Sequence, residues 1–565
     1  MKKRSLKLAT AVLLTGLSLP LAANAADEEL QKKVDQLSKE IELLKGQVKK
    51  VDDKSLGKWL TIGGDYRFRV DSLHGKTEGY TNAPTFMGIL QTNPATSGFF
   101  ATPQAQQMLS STSYSAVAGM TPNAMMGNFV NYLTAPTGAF PGDPAAAAAY
   151  LQALGAGAYV PAYKPKNTTL YTNKFGLDLH AKATQDVTVT VKLDMYKTFG
   201  SQDDNATTGD YFADRVGVFD GTVGHVPSDS KLNVDRVYAT WSNILDQPLW
   251  LSVGRRPSTN GAPSNLRMNT ERPGNGGTPA LLVDYAFDGG TIGYAPDIDG
   301  LPGAYGKICY GRGFDAGIDS SATTNSIKDT DMLGIAIIPI DTDPLRIWLQ
   351  WNRGFNIFDF PVMSNTAFGD TAPSVNLGDI DWYGTGVMST IKNVGPGTLN
   401  FFADFGLSVT HPNNNVSANA GFQGLLTGGF LAPEEPDDKT GWATYLGVRY
   451  DLPSRTKLGF EYNHGSKNWI TFAPSADDMW TSKVGTRGNV FEPYIIQELD
   501  LKPISSYTSK AFFKVGYQYY DFEYTGSNNW VGAPQKIADI KSTDLLLMTP
   551  LKSAQNIYAT FEVKF

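Results

Sequence analysis

Hydrophobic and polar residues alternate with a period of two along most of the chain beyond Trp59. The pattern begins in residues 60–71 and returns in residues 171–183, 187–195, 345–351, 399–409, 458–462 and 511–519. A period of two is that of a β-strand with two different faces, and segments of about ten such residues are typical of transmembrane barrel strands. The pattern therefore predicts an all-β fold, a transmembrane antiparallel β-barrel.

The connections between these segments alternate between short and long. Residues 184–186 and 393–397 are short turns, whereas residues 72–167 and 411–439 are long, and the segment 72–167 is the longest. Barrels of the bacterial outer membrane have short periplasmic turns and long external loops, so we expect both termini on the periplasmic side. We predict sixteen strands, and a hairpin in residues 536–547 would raise the number to eighteen. The predicted strands begin near residues 60, 169, 187, 231, 249, 281, 304, 331, 345, 379, 398, 441, 457, 490, 511 and 554.

A heptad repeat precedes the first strand. Apolar residues spaced four and three apart form a coiled-coil seam, and charged residues fill most of the other positions. Because a single such helix would leave its apolar stripe in water, we expect a homo-oligomer with a number of chains left open; a lone amphipathic helix on the barrel mouth is the alternative. The seam residues are Leu30, Val34, Leu37, Ile41, Leu44, Val48 and Val51.

The first 25 residues have the pattern of an export signal. Four basic residues precede the short apolar stretch Leu13–Leu21, and Ala23-Asn24-Ala25 matches a signal-peptidase site. We expect cleavage before Ala26 and location in the bacterial outer membrane. The predicted organisation is a signal peptide in residues 1–25, a periplasmic coiled-coil segment in residues 26–57 and the barrel in residues 58–565.

Composition and motifs exclude several other classes of protein. Charged residues make up 18% of the chain, against about 25% in an ordinary soluble protein. We find no basic patch, so a nucleic-acid partner is not expected. The single cysteine, Cys309, allows no intrachain disulfide, and the chain contains no H-E-x-x-H, G-x-S-x-G or C-x-x-C-H motif. We therefore predict a protein that is not an enzyme, with no catalytic, cofactor-binding or metal-binding residues and no cofactor.

The end of the last alternating segment is a further candidate site. Phe561, Val563 and Phe565 lie on its apolar face. A final strand that ends in Phe resembles the signal recognised by the machinery that assembles barrels in the outer membrane. We therefore expect that machinery, together with outer-membrane lipid, among the partners.

The whole layout resembles that of bacterial porins: a signal, a short periplasmic coil and then a barrel. The segments Val234–Ala239 and Leu251–Arg256 resemble the strand-turn-strand that leads into the pore-constricting loop of porins, and Gly459–Lys467 resembles a motif of a porin-like family of long unknown function. The resemblance implies a water-filled channel for small hydrophilic solutes or ions. Some members of such families are associated with multihaem cytochromes, which implies an alternative: a barrel scaffold that sheathes a multihaem cytochrome for electron transfer across the outer membrane.

The resemblance also implies that residues 257–280 fold into the barrel and narrow it through Arg267, Glu271 and Arg272; an outward surface loop is the alternative. In the longest loop, Asp143-Pro144 predicts the start of a helix, and this loop is a candidate lid, plug or contact surface; a poorly ordered loop is the alternative.

Charged residues on the polar faces are the candidate pore lining. Basic residues outnumber acidic ones there, and acidic pairs such as Asp477-Asp478 are expected on external loops, so we expect a weak anion preference. The alternative is that mixed charges only keep the wall wet, since rings of like charge produce selectivity. The candidates are Arg67, Arg69, Lys174, Asp178, His180, Lys182, Lys192, Arg236, Arg256, Arg346, Asp404, Arg449 and Glu461, with Asp379 and Asp381 as further acidic positions.

Overall fold

The described part of the chain forms one closed barrel of sixteen antiparallel strands in which each strand pairs with its neighbours in sequence. The computed structural model describes residues 59–200, 231–257, 263–270, 281–284, 286–318, 327–366, 369–473, 478–502 and 509–565. The strands are β1 Leu60–Thr77, β2 Lys166–Lys182, β3 Val187–Thr198, β4 Lys231–Trp241, β5 Leu249–Pro257, β6 Ala286–Tyr294, β7 Tyr305–Phe314, β8 Thr330–Asp341, β9 Arg346–Phe358, β10 Asn376–Val394, β11 Gly397–Pro412, β12 Lys439–Asp451, β13 Thr456–Gly465, β14 Gly488–Glu498, β15 Lys510–Phe522 and β16 Leu551–Lys564.

The predicted barrel and its strand number are confirmed. The alternative of eighteen strands is wrong, because Ile537–Asp539 forms a single 3₁₀ turn and Leu545–Leu546 pairs with Tyr80–Asn82 in a small separate sheet. The predicted signal and heptad segment lie outside the described residues.

Short and long connections lie at opposite ends of the barrel, as predicted. Residues 342–345 and 395–396 make tight turns at one end, whereas residues 413–438 and 466–487 make long loops at the other. The first loop runs from residue 78 to residue 165 instead of 72–167, because β1 stays paired with β16 as far as Thr77.

The first long loop folds into five α-helices. They are α1 Ala83–Thr92, α2 Pro103–Leu109, α3 Tyr114–Val117, α4 Pro122–Thr134 and α5 Pro144–Ala156, with the 3₁₀ helix Ser97–Ala101 between α1 and α2. The prediction for Asp143-Pro144 is confirmed, since the Asp143 carboxylate accepts the backbone N–H of Ala146 at 3.0 Å. The same cap recurs at α1, α2 and α4, where a polar side chain precedes a proline.

The remaining small elements lie in the connections. Tyr80–Asn82 pairs with Tyr159–Val160 at the base of the first loop. Met363–Thr366 pairs with Gly369–Thr371, and Ile244–Asp246 and Lys483–Gly485 are single 3₁₀ turns. Among the described residues, no helix is long and apolar enough to cross a membrane.

Alternation along each strand sorts its side chains between two environments. On β9, Trp348 faces inward with 1% of its surface exposed, whereas its neighbour Leu349 faces outward with 49% exposed. The long loops add apolar side chains to the interior. On the inner face of β10 the indole N–H of Trp382 donates to the Ile470 carbonyl at 2.9 Å, and its ring lies 4.8 Å from that of Phe472. Part of the interior is therefore packed by the loop 466–487.

Candidate functional site

The interior of the barrel carries most of the charged residues that the sequence singled out. Opposite charges face each other across the seam between β1 and β16, where Asp65 lies opposite Lys564 and Arg67 lies opposite Glu562. Directly opposed unlike charges stabilise a strand pair. The seam therefore places ionic side chains on the inner wall with their charges largely compensated.

The segment 263–270, which follows β5, lies against the inner wall. The Arg267 guanidinium lies 3.0 Å from Asp478 Oδ1, 3.5 Å from Glu492 Oε1 and 3.8 Å from Glu461 Oε2. Burial disfavours the charged guanidinium, but these three carboxylates hold the pKa of Arg267 well above its usual value. Arg267 therefore stays charged and ties the segment to β13 and β14.

Two further residues of the same segment are also held by the wall. Arg449 on β12 donates to the Leu266 carbonyl at 2.5 Å, and Lys457 on β13 donates to the Asn269 side chain at 2.7 Å. The other two residues predicted for this loop, Glu271 and Arg272, lie outside the described residues.

A second loop segment joins the same group of charges. The Lys483 ammonium contacts Glu461 and lies 2.6 Å from Glu492 Oε2, and the Lys483 backbone N–H donates to Asp478 at 2.9 Å. We call Arg267, Lys483, Glu461, Asp478 and Glu492 the interior ion cluster. Each of these residues is at most 4% exposed. Buried charges persist only when they are paired and hydrogen-bonded, so the cluster fixes both loops to the wall.

Sequence reasoning missed most of this cluster. Asp478 was expected on an external acidic loop, and this expectation is wrong, because Asp478 is 2% exposed and paired with Arg267. Burial raises the pKa of Asp478, against the opposing effect of Arg267 and Lys483. Glu492 lies on a strand whose alternation is weak, and Lys483 lies in a loop. No local pattern marks either of them.

Asp379 and Asp381 were expected on the inner wall, and this expectation is wrong. The inward positions of β10 are the even ones, such as Ile380 and Trp382, which are fully buried. Asp379 and Asp381 share the other face with Arg353, at 2.9 Å and 3.0 Å. A one-residue shift in the assumed phase of the strand moves a side chain to the opposite face.

The candidate pore-lining residues separate into two groups. The first group is buried to less than 9% exposure and has close partners for most members, such as Asp71 for Arg69 at 2.7 Å and Tyr305 for Arg346 at 2.9 Å. Its members are Arg67, Arg69, Arg256, Arg346, Asp404, Arg449 and Glu461. The second group lies on β2, β3 and β4 and stays partly accessible; its members are Lys174, Asp178, His180, Lys182, Lys192 and Arg236.

The accessible group forms a network around Lys192. Its ammonium lies 3.1 Å from Asp65, 3.6 Å from Asp178 and 4.0 Å from Asp194. Lys174 adds a contact of 3.1 Å to Asp194. The side chains of Lys192, Asp65 and Asp178 are 16%, 25% and 31% exposed, so this wall meets solvent. We call Asp65, Lys174, Asp178, Lys192 and Arg236 the open-wall cluster.

The described residues contain no group of three His, Cys, Asp or Glu side chains placed to hold a metal ion. Phe561 and Val563 of the predicted assembly signal lie on β16, and Phe565 follows it; the ring of Phe561 lies 5.0 Å from that of Phe513 on β15.

Fold and site together define a class: a closed antiparallel barrel with ionic side chains inside and exposed apolar side chains outside. Residues 164–565 match the sequence family described as "Protein of unknown function (DUF3373)". The chain belongs to this family. No curated protein matches the chain.

Several solved structures resemble this barrel at low sequence identity. OprB of Pseudomonas putida has 10% identity and a TM-score of 0.39, over 90% of this chain and 95% of its own. The anion-selective porin from Comamonas acidovorans has 11% identity and a TM-score of 0.38, over 90% of this chain and 99% of its own. The outer membrane channel DcaP of Acinetobacter baumannii has 11% identity and a TM-score of 0.34, over 90% of this chain and 98% of its own.

Proposed function

We propose that this protein is a porin of the bacterial outer membrane that passes small hydrophilic solutes or ions through a water-filled path. The observation that carries the proposal is the apolar exterior of a closed barrel whose interior is ionic. Val253, Ile308, Leu349, Ile495 and Val515 lie on five different strands, and each is between 48% and 53% exposed.

Such an exterior requires a lipid environment. Soluble monomers rarely expose contiguous apolar patches larger than a few hundred Å². A barrel also leaves no unpaired strand edge, so it satisfies its backbone hydrogen bonds inside a membrane. Apolar residues facing lipid and polar residues facing a lumen are the arrangement of transmembrane barrels. Since both ends of the barrel segment lie at the short-turn end, the proposal places residues 26–57 in the periplasm.

We infer that the path for solutes runs along β1 to β4. The open-wall cluster supports this position, because its side chains keep partial exposure, whereas the members of the interior ion cluster are almost fully buried between β13, β14 and β16. The segment 263–270, which contacts β12, β13 and β16, then acts as the constriction beside this path.

A weak anion preference is the finer part of the proposal. Lys174, Lys192 and Arg236 are accessible along this wall, and Lys182 is exposed at the end of β2. The nearby acidic residues Asp194 and Asp235 are only 1% exposed each, whereas Asp65 and Asp178 are accessible and offset part of the basic charge. Accessible basic charges attract anions most strongly where the path is narrow, and the many close ion pairs keep the preference weak.

Planar-bilayer recording tests both parts. The purified protein is expected to conduct ions. In a salt gradient at low ionic strength, the reversal potential is expected to have the sign that indicates a preference for anions. The triple variant Lys174→Gln, Lys192→Gln and Arg236→Gln is expected to shift that potential toward cations. The matched control is Lys164→Gln with Lys541→Gln, two exposed loop lysines, which is expected to leave it unchanged.

Two outcomes contradict the proposal at different levels. A wild-type protein that inserts without conducting overturns the channel itself. A triple variant with the wild-type reversal potential overturns only the assignment of selectivity to the open-wall cluster. We add no sheath function for a multihaem cytochrome, because described loops occupy part of the interior that such a partner would fill.

Homo-oligomerisation through the heptad segment and recognition of β16 by the assembly machinery remain sequence predictions.

A further inference from the structure

A hollow lies on the inner wall of β5 to β9, apart from both charged clusters. It exists because inward positions there carry small side chains: Cys309 and Gly311 on β7, and Gly334 and Ala336 on β8. The hollow is partly open, and its volume is about 40 Å³, or about 520 Å³ when all space between atoms and the open space at its mouth are counted. A side chain at Gly334 would fill part of it, since a Cβ there would come within 2.5 Å of the Asn352 side-chain oxygen.

Polar groups in the hollow are buried without partners. Arg256 Nε, Gln350 Oε1 and Asn352 Nδ2 make no hydrogen bond within the protein, although each residue is only 7% or 8% exposed. A buried polar group without a partner costs stability, so most such groups are satisfied by protein, water or ligand. The hollow therefore presents two hydrogen-bond donors and one hydrogen-bond acceptor to a bound molecule.

The guanidinium of Arg256 is held in position by other contacts. Its Nη1 donates to Thr291 and lies 3.9 Å from Cys309 Sγ, and the group lies 5.7 Å from the centre of the Trp250 ring. Because the Arg256 head is oriented by Thr291 and Trp250, its Nε donor is pre-organised for a ligand.

The residues that line the hollow indicate which class of ligand it binds. Arg256 and Lys307 are basic, and the described lining contains no carboxylate. Val283, Phe287 and Met332 supply an apolar wall beside them. A basic group next to an apolar wall fits an anion with an apolar body better than an inorganic ion, which would leave that wall in contact with water.

We propose that this hollow is a binding site for small organic monocarboxylates. The carboxylate accepts hydrogen bonds from Arg256 and Asn352, and the apolar body of the ligand packs against Phe287 and Met332. Gln350 accepts from a hydroxyl or a water that accompanies the ligand. The inference deepens the proposed channel function, because it names a class of solute that the interior retains.

The only cysteine of the chain makes the site measurable without conductance. Cys309 lines the hollow and is partly accessible, so a small neutral reagent such as methyl methanethiosulfonate labels a single position. We expect benzoate to slow the labelling of the detergent-solubilised protein in a saturable manner. Neutral benzamide and inorganic phosphate at the same concentrations are expected to protect much less.

Variants locate the binding groups. Arg256→Gln is expected to weaken benzoate protection at least about tenfold, the loss that corresponds to one charge-assisted hydrogen bond. Asn352→Leu removes a polar group without changing the charge, and it is also expected to weaken the protection by benzoate. Arg312 lies at the exposed end of β7. In the matched control Arg312→Gln, benzoate is expected to protect Cys309 as strongly as in the wild type. Each variant is compared by its labelling rate with and without benzoate, because Arg256 also affects the thiol.

The outcomes separate this inference from the channel proposal. If the protein conducts but benzoate does not change the rate of Cys309 labelling, the binding site is overturned and the channel proposal stands. Protection in a protein that does not conduct supports the site and overturns the channel. Equal protection by phosphate and benzoate overturns the selection of organic anions, and equal protection by benzamide overturns the role of the charge. If Arg256→Gln does not fold, Asn352→Leu decides the result.

Discussion

The interior ion cluster is stable at the residue scale because every member has several partners. Glu461 accepts from the Tyr445 hydroxyl at 2.6 Å, and Glu492 accepts from the Tyr558 hydroxyl at 2.7 Å. Three carboxylates and two basic groups leave one negative charge, which these phenols and the side-chain amide of Gln518 help to stabilise. Removing one basic group would therefore leave buried carboxylates without compensation.

Arg267→Met tests this balance. Breaking a buried ion pair by removing one partner costs about 3–5 kcal/mol, so we expect an earlier unfolding transition in denaturant. We also expect larger single-channel conductance, because the segment 263–270 loses its attachment to the wall. Arg455→Met is the matched control: Arg455 pairs with Asp500 at an exposed turn, and its loss is expected to cost less than about 1 kcal/mol. Wild-type conductance and stability in Arg267→Met would contradict this account of the cluster.

At the scale of elements, local rules account for the helices of the first long loop. A Thr, Asn or Asp that caps the helix and a following Pro start four of the five α-helices. These signals are local in sequence, because the cap satisfies a backbone N–H three residues ahead. Their positions against the rest of the barrel depend instead on contacts made by distant loops.

The predicted role of the heptad segment in forming the oligomer is tested by measuring the mass of the oligomer. Replacing Leu37, Ile41 and Leu44 by Ser removes three consecutive seam positions, so we expect smaller oligomers in detergent while the barrel still inserts. The control Lys39→Ser with Glu42→Ser changes positions outside the seam and is expected to leave the mass unchanged. An unchanged mass in the seam variant would show that the oligomer, if one forms, is held by other surfaces.

On the scale of the whole molecule, the exterior of the barrel determines where the protein is stable. Leu349 is the fourth residue of β9 and faces outward, opposite Ile337 on one neighbouring strand and Thr385 on the other. Leu349→Arg is expected to lower the free energy of unfolding of the protein in lipid vesicles by about 2–4 kcal/mol, the cost of an arginine facing the middle of a bilayer. Denaturant titration in vesicles measures this cost.

The matched control for the lipid-facing position is Leu245→Arg. Leu245 is 84% exposed in a short turn, where an arginine reaches water, so we expect almost no change. Equal costs at positions 245 and 349 would mean that the exterior of β9 does not face lipid.

The sequence by itself determined the barrel and the number of its strands. Alternation with a period of two is a property of neighbouring residues, and it marks each strand without knowledge of its partners. β6 and β14 were marked most weakly, because Gly289, Gly290 and Pro493 interrupt their patterns. The alternation of short and long connections then predicted an even number of strands. It also predicted that both termini of the barrel segment lie at the end with the short turns.

Only the tertiary structure decided which inward charges meet solvent. Arg69 and Lys192 both lie on polar faces, yet Arg69 is 2% exposed beside Asp71, whereas Lys192 remains accessible. The difference arises from contacts between residues far apart in the sequence: Arg69 lies 4.6 Å from the centre of the Tyr558 ring on β16, whereas the partners of Lys192 leave it partly open. Arg267, Asp478 and Glu492 meet for the same reason. Contacts across more than 200 residues follow from how the barrel closes and which loops enter it, and no local period encodes them.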